Sequence, residues 1–197
     1  MANYFESARI MKEREKFLTT GCLKFDALLQ GGITTRGITQ IYGAASTGKT
    51  QLALQLCLTV QLPVAEGGFA AVVDSIAAPY RVEDWNDESN NRAKSLRTIG
   101  RQLHKLCGNE VCVVCINQVT ATVHNSVLND NSSERPSLGT TWLSMITNSI
   151  QFYRIDSLRY ACVKLSSNLP EIIIPFEVQG SGVKAIEQII QNKFKNN

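Results

Sequence analysis

The chain has 197 residues, 44% of them hydrophobic and 19% charged, with a formal net charge of +3. That length suits one domain with a real core and leaves too little for a second. The composition excludes a disordered tail, and so mild a charge neither demands nor excludes nucleic acid. No apolar run approaches the ~18 residues that cross a membrane, and the N-terminal residues lack the apolar centre of a signal peptide. The expectation is an intracellular chain without membrane contact.

In chain order, residues 3–16 are charged and irregular and read as a solvated arm or short helix. Leu23, Phe25, Leu28 and Leu29 mark a short helix closed by Gly31 and Gly32. A strand-like run (Ile38, Ile41, Tyr42) then meets Gly43, Ala44, Ala45, Ser46, Thr47, Gly48, Lys49 and Thr50, and a helix-periodic run (Leu52, Ala53, Leu56, Cys57, Val60) follows. This is the pattern G-x-x-x-x-G-K-T in its strand-loop-helix context. Glycines at both ends let the backbone curl so that amide groups and the helix N-terminus point at phosphate oxygens. Lys49 would reach the β- and γ-phosphates and the Thr50 hydroxyl would ligate Mg²⁺.

Residues 69–75 form an apolar run that ends in a carboxylate, Asp74, the expected second anchor for Mg²⁺ in a P-loop protein. Residues 80–91 read as a polar loop, and from Arg92 apolar residues return at helix spacing as far as Gly108. Residues 111–119 (VCVVCINQV) read as a buried strand whose last positions turn polar, which makes Gln118 a candidate reader of the γ-phosphate in the crevice of an α/β fold. Residues 120–137 lack periodicity and are too long for an ordinary connection, so they are either functional or disordered. Residues 138–148 read as a short helix, and strand-like runs at 150–155, 158–165 and 172–179 close the chain. The predicted class is α/β, a largely parallel sheet flanked by helices with an antiparallel C-terminal extension.

The six cysteines, Cys22, Cys57, Cys107, Cys112, Cys115 and Cys162, are expected to act mainly as small buried hydrophobes. Cys112 and Cys115 have the spacing of a metal or redox pair, but on a strand residues three apart face opposite sides. The histidines, His104 and His124, stand near no plausible nucleophile, which argues against a Ser-His-Asp or Cys-His enzyme.

These blocks, in this order, resemble the RecA-like recombinase family, and within it the eukaryotic recombination paralogues. The resemblance is carried by Thr19-Thr20-Gly21, by Asp26 with the LLQGGI run, and by GAASTGKTQLALQL, VVDSIAAPYR, CINQVT, SLGTTW and LRYACVKLSSNLPE. It implies a RecA-like core over residues 19–197 behind an arm of residues 1–18, with ATP and Mg²⁺ bound between adjacent cores. It also implies a nuclear role in homologous-recombination repair beside another RecA-family paralogue or the eukaryotic recombinase. Residues 43–50 then correspond to the Walker A loop, Asp74 to the Walker B residue, and Gln118 to the nucleotide-sensing strand end. The loops at 80–91 and 120–137 match the positions that face DNA, with Arg81 and Arg135 as candidate contacts. The acids Glu83, Asp84, Asp87 and Glu88, and Asp130 with Glu134, oppose phosphate approach. DNA contact is therefore expected through the complex. Phe5 and Ala8 match a Phe-x-x-Ala element that adds to the sheet edge of a neighbouring subunit.

Two departures from the family pattern matter. The small helical domain that usually precedes the core is expected to be missing, since the Thr19 block stands so early, and only 23 residues separate Thr50 from Asp74. A further strand-helix unit needs ~30 residues, so the family's additional edge unit, with the Thr-Glu pair that positions the attacking water, cannot be present. The acid in that interval, Glu66, sits in a Gly-rich turn. The chain looks like a shortened form joined at Gly68 or Phe69, with one edge unit missing and a sheet edge newly exposed. ATP binding is expected to survive better than hydrolysis. The other readings are a DNA-stimulated ATPase, a truncated product without function, and a small P-loop kinase, which would need an Arg-bearing lid.

Overall fold

The computed structural model describes residues 15–63, 69–81, 89–120 and 134–186. In chain order its elements are β1 (Phe17–Leu18), α1 (Leu23–Leu28), β2 (Ile33–Thr34), β3 (Ile38–Tyr42), α2 (Lys49–Thr59), β4 (Ala70–Asp74), a 3-10 turn (Ala78–Tyr80) and α3 (Ser89–Gly108). There follow β5 (Cys112–Asn117), β6 (Val119–Thr120), β7 (Arg135–Pro136), α4 (Gly139–Leu143), β8 (Ile146–Ile155), β9 (Leu158–Leu165), β10 (Ile173–Gln179) and β11 (Gly182–Ala185).

Seven strands form one sheet in the order β11-β10-β9-β8-β3-β5-β4. β8, β3, β5 and β4 are mutually parallel, and β9, β10 and β11 continue antiparallel from β8. The parallel core and the antiparallel extension are thus both present. β3 lies between β5 and β8, so the chain leaves it on one side and later returns on the other. That reversal opens a crevice at the carboxyl end of β3, where such sheets bind ligands, and the glycine-rich loop sits there.

The sheet is covered on both faces, and strand alternation assigns the residues. On one face α2 buries Leu52, Ala53 and Leu56 with Ile41, Cys112, Val114 and Ile116. On the other, α3 and α4 bury Leu96, Leu103 and Trp142 with Ile38, Val113, Cys115 and Ile146. Cys112 and Cys115 therefore lie in different layers, fully buried, and cannot share a metal or a disulfide. Burial pushes both thiols up to about 12.

The Thr19-Thr20-Gly21 block is structural. Asp26 is buried beneath it and accepts hydrogen bonds from the Thr20 amide at 2.8 Å, the Thr20 hydroxyl at 2.7 Å and the Thr19 hydroxyl. Gln55 and Thr59 on α2 donate to the Thr20 and Thr19 carbonyls, and Gln55 accepts from the Val183 amide at 2.6 Å. The N-terminal segment, α2 and β11 are thereby tied into one layer.

Some local readings differ from the structure. The helix expected over 138–148 ends at Leu143, and β8 starts already at Ile146. The strand wins because it pairs with β3 from Ile146 and with β9 from Ser149, and buries Ile146, Asn148 and Ser149. Tyr80, read as the start of a polar loop, is buried, with its hydroxyl 2.8 Å from Ser95 Oγ and the Arg92 guanidinium 5.9 Å from its ring centroid. Among the described residues β4 is the edge strand, and its residues are only partly buried.

Candidate nucleotide-binding site

The loop between β3 and α2 is held by close packing at its two glycines. Gly43 passes so near β8 that a Cβ there would stand 1.9 Å from the Phe152 carbonyl oxygen. Gly48, at φ 104°, caps α2 in a conformation that side chains rarely adopt, and its open side faces the Phe176 ring. Phe152 and Phe176 pack with ring centroids 4.8 Å apart, which roots the loop in the core. These two contacts are the structural reason for glycine at both ends of the motif.

Lys49, the first residue of α2, is buried, and its Nζ donates to the Ala44 carbonyl at 2.6 Å. Thr47 Oγ1 donates to the same oxygen at 3.0 Å. Burial lowers the Lys49 pKa from its ordinary value, while the carboxylates of Asp74 and Glu134 act in the opposite direction. Asp74, at the carboxyl end of β4, is exposed, as is Thr50. Over the loop lies a cavity of about 360 Å³ lined by Ser46, Gly48, Lys49, Thr50, Gln51, Arg159 and Val178.

The donors fit a magnesium-nucleotide. Mg²⁺ keeps most of its shell as water and phosphate oxygen and takes one or two protein oxygens, which Thr50 and Asp74 would supply. Among the described residues no cluster of three or more His, Cys, Asp or Glu forms a dedicated metal cage. Lys49 and the start of α2 face the cavity that a phosphate chain would enter.

Gln118 lies elsewhere. It lines a second cavity, of about 340 Å³, with Tyr80, Arg81, Arg92, Thr120 and Ser137. Arg81 and Arg135 are both exposed, and Arg135 on β7 is the pairing partner of Thr120. Arg81, Arg92 and Arg135 thus collect around the end of β5. Beneath them Asn117 is fully buried, donating to Gln40 Oε1 at 3.1 Å and to the Ser137 carbonyl at 3.0 Å. Gln40 accepts from Trp142 Nε1 at 3.0 Å and donates to Ser149 at 2.9 Å. This polar chain joins β3, β5, α4 and β8 directly below the crevice.

Phe5, Ala8, Glu66, residues 82–88 and residues 121–133 lie outside the described residues. Residues missed in the sequence are Gln40, Arg92, Glu134 and Arg159. Each belongs to another element than the motif it joins, so no spacing rule could have found them.

Known proteins agree with this architecture. The Rad51 family model matches residues 12–71 and 68–186. The two stretches meet where the sequence places the junction of a shortened segment. DNA repair protein XRCC3 of Bos taurus is 28% identical over 211 residues, covering 68% of this chain and 62% of its own length. The chain thus spans less than two thirds of that relative. XRCC3 of Mus musculus is 26% identical over 275 residues, covering 92% of this chain and 79% of its own. An alignment that much longer than the chain means that the mouse protein carries residues this chain lacks. The crystal structure of the RadB recombinase, 21% identical, superposes with a TM-score of 0.65 over 87% of this chain and 100% of its own. At that identity the likeness speaks for the fold, which is RecA-like. The chain belongs to the Rad51 family.

Proposed function

We propose that this chain is an ATP-binding subunit of a homologous-recombination DNA repair complex, with Mg²⁺-ATP acting at a subunit interface. The observation that carries the reading is the cavity over the loop, into which Lys49, Thr50 and the start of α2 all face. Bound ATP supplies a phosphate chain that can replace the bond between Lys49 and Ala44. Lys49 then neutralises that chain, while Thr50 and Asp74 hold the metal. The repair assignment rests on the family and on relatives named as DNA repair proteins.

The partner in this reading is another RecA-family paralogue or the eukaryotic recombinase, in the nucleus, met through Phe5 and Ala8 of the arm. DNA is reached through the complex, with Arg81 and Arg135 as this chain's contribution. Nucleotide works as interface glue and switch more than as fuel. Phosphoryl transfer to water needs a residue that orients the water, and the sequence lacks the strand-helix unit that carries it.

Titration of the purified chain with Mg²⁺-ATP tests the reading. Lys49→Ala and Asp74→Ala should each weaken binding tenfold or more, since each removes a charge-assisted contact worth about 1.5–3 kcal/mol. Unchanged affinity in both variants refutes the assignment.

A further inference from the structure

One cation in the wall of the loop cavity has no task in that scheme. Arg159 reaches the cavity from β9, far from the glycine-rich loop in sequence, and lines it together with Ser46, Gly48, Thr50 and Gln51. Its Nε is buried and has no hydrogen-bond partner, and among the described residues no carboxylate pairs with it. Its cross-strand neighbour on β8 is Arg154, a like charge that gives no relief. Arg154 settles its own Nε on the Asp156 carbonyl at 2.6 Å. The two acids near the site, Asp74 and Glu134, act on Lys49.

Buried polar groups in folded proteins are nearly always paired, and each exception needs an explanation such as a missing ligand. A guanidinium is planar, always charged, and presents a fork of donors that matches phosphate oxygens. It lines the same cavity as Lys49, the cation of the phosphate-binding loop.

We propose that Arg159 is a second phosphate-binding cation of this site, donating to the polyphosphate chain of the bound nucleotide alongside Lys49. The contact would also join the antiparallel extension to the parallel core through the ligand. The inference rests on the nucleotide-binding reading and adds to it a residue that no motif contains.

The experiment uses the full chain with two probes, Mg²⁺-ATP and inorganic tripolyphosphate, which lacks the base and sugar. Arg159→Met should weaken both by about tenfold, the usual size for loss of a charged hydrogen bond. Arg159→Lys, which keeps the charge but loses the fork, should weaken both by less. Without nucleotide, Arg159→Met should melt at or above the wild-type temperature, because it removes a donor that has no partner. Its ATP-induced rise in melting temperature should shrink. Should Arg159→Met fail to fold, the lysine variant carries the same comparison.

Three results overturn the proposal. Unchanged affinity of Arg159→Met for both probes, while Lys49→Ala still loses ATP, leaves the nucleotide site standing and removes Arg159 from it. Weakened ATP with unchanged tripolyphosphate puts Arg159 against the base. A lower melting temperature without nucleotide, at unchanged affinity, makes it a structural strut. Loss of affinity in neither Lys49→Ala nor Arg159→Met takes down the nucleotide reading as well.

Discussion

Lys49 donates to the carbonyl of Ala44 at 2.6 Å, so the cation of the glycine-rich loop is held by that same loop. In the proposed nucleotide reading a phosphate oxygen would displace this bond, and would do so only while Lys49 is charged. Burial brings the Lys49 pKa below 10.5. ATP affinity should therefore start to fall at a lower pH than an ordinary lysine would impose. Titrations between about pH 7 and 10 check this. Affinity that stays flat to the alkaline limit of folding argues against Lys49 as the phosphate ligand.

The buried chain through Gln40, Asn117 and Trp142 should contribute strongly to stability. Gln40→Leu leaves Trp142 Nε1 and an Asn117 amide proton without their acceptor. A loss of about 2–3 kcal/mol is expected in denaturant unfolding. Adding Trp142→Phe removes one orphaned donor, so the double variant should lose less than the sum of the singles, by about 1 kcal/mol. Strict additivity would mean that the two side chains do not depend on each other.

The outer side of α2 carries large apolar side chains that its own fold leaves exposed. Leu54 and Leu58 are 58% and 68% exposed, Leu62 and Phe69 are exposed too, and α2 packs on the edge strand β4. Unpaired edges and apolar patches favour association. Leu58→Glu should leave stability within about 0.5 kcal/mol and reduce self-association seen by light scattering. Scattering that does not change with this variant places the association surface elsewhere.

The thiols report on the two core layers. Cys57 is exposed, while Cys22, Cys112, Cys115 and Cys162 are buried, so a thiol reagent should label Cys57 first and the buried four only on unfolding. Cys112 and Cys115 are pushed from 9.0 to about 12 by burial. Below pH 9 both folded and unfolded thiols are protonated and make no difference. As pH rises from 9 toward 12 the unfolded thiols ionise first, so stability is lost over that window. Cys115→Ala should flatten this slope even though it lowers stability at neutral pH. An unchanged slope would point to other groups, such as Tyr42, which is raised to about 12 by its burial.

The arm offers a test of assembly. Phe5→Glu should weaken association with a RecA-family partner by about 2 kcal/mol or more, as for an aromatic anchor, and leave ATP binding intact. Normal co-purification with every paralogue, or a fall in the chain's own melting temperature, would show that Phe5 is not a docking residue.

Local chemistry made much of this protein readable from its residues alone. The glycine-rich loop, Asp74 at the end of an apolar run, the alternation of strands with helices and the short interval after Thr50 are contiguous patterns. A turn, a period or a chain length decides each of them within a few residues. Pairing across the sheet decided the rest. The segment at 146–149 reads locally as the end of a helix, and it became strand because β3 pairs with Ile146, Asn148 and Ser149 and β9 joins from Ser149. Gln118 ended beside Arg81 and Arg92, because β5 stops at Asn117, whose amide is drawn down to Gln40. Arg159 and Glu134 join the loop from segments more than eighty residues away. No periodicity carries such information, since it is the order of strands in the sheet that sets which distant side chains share a cavity.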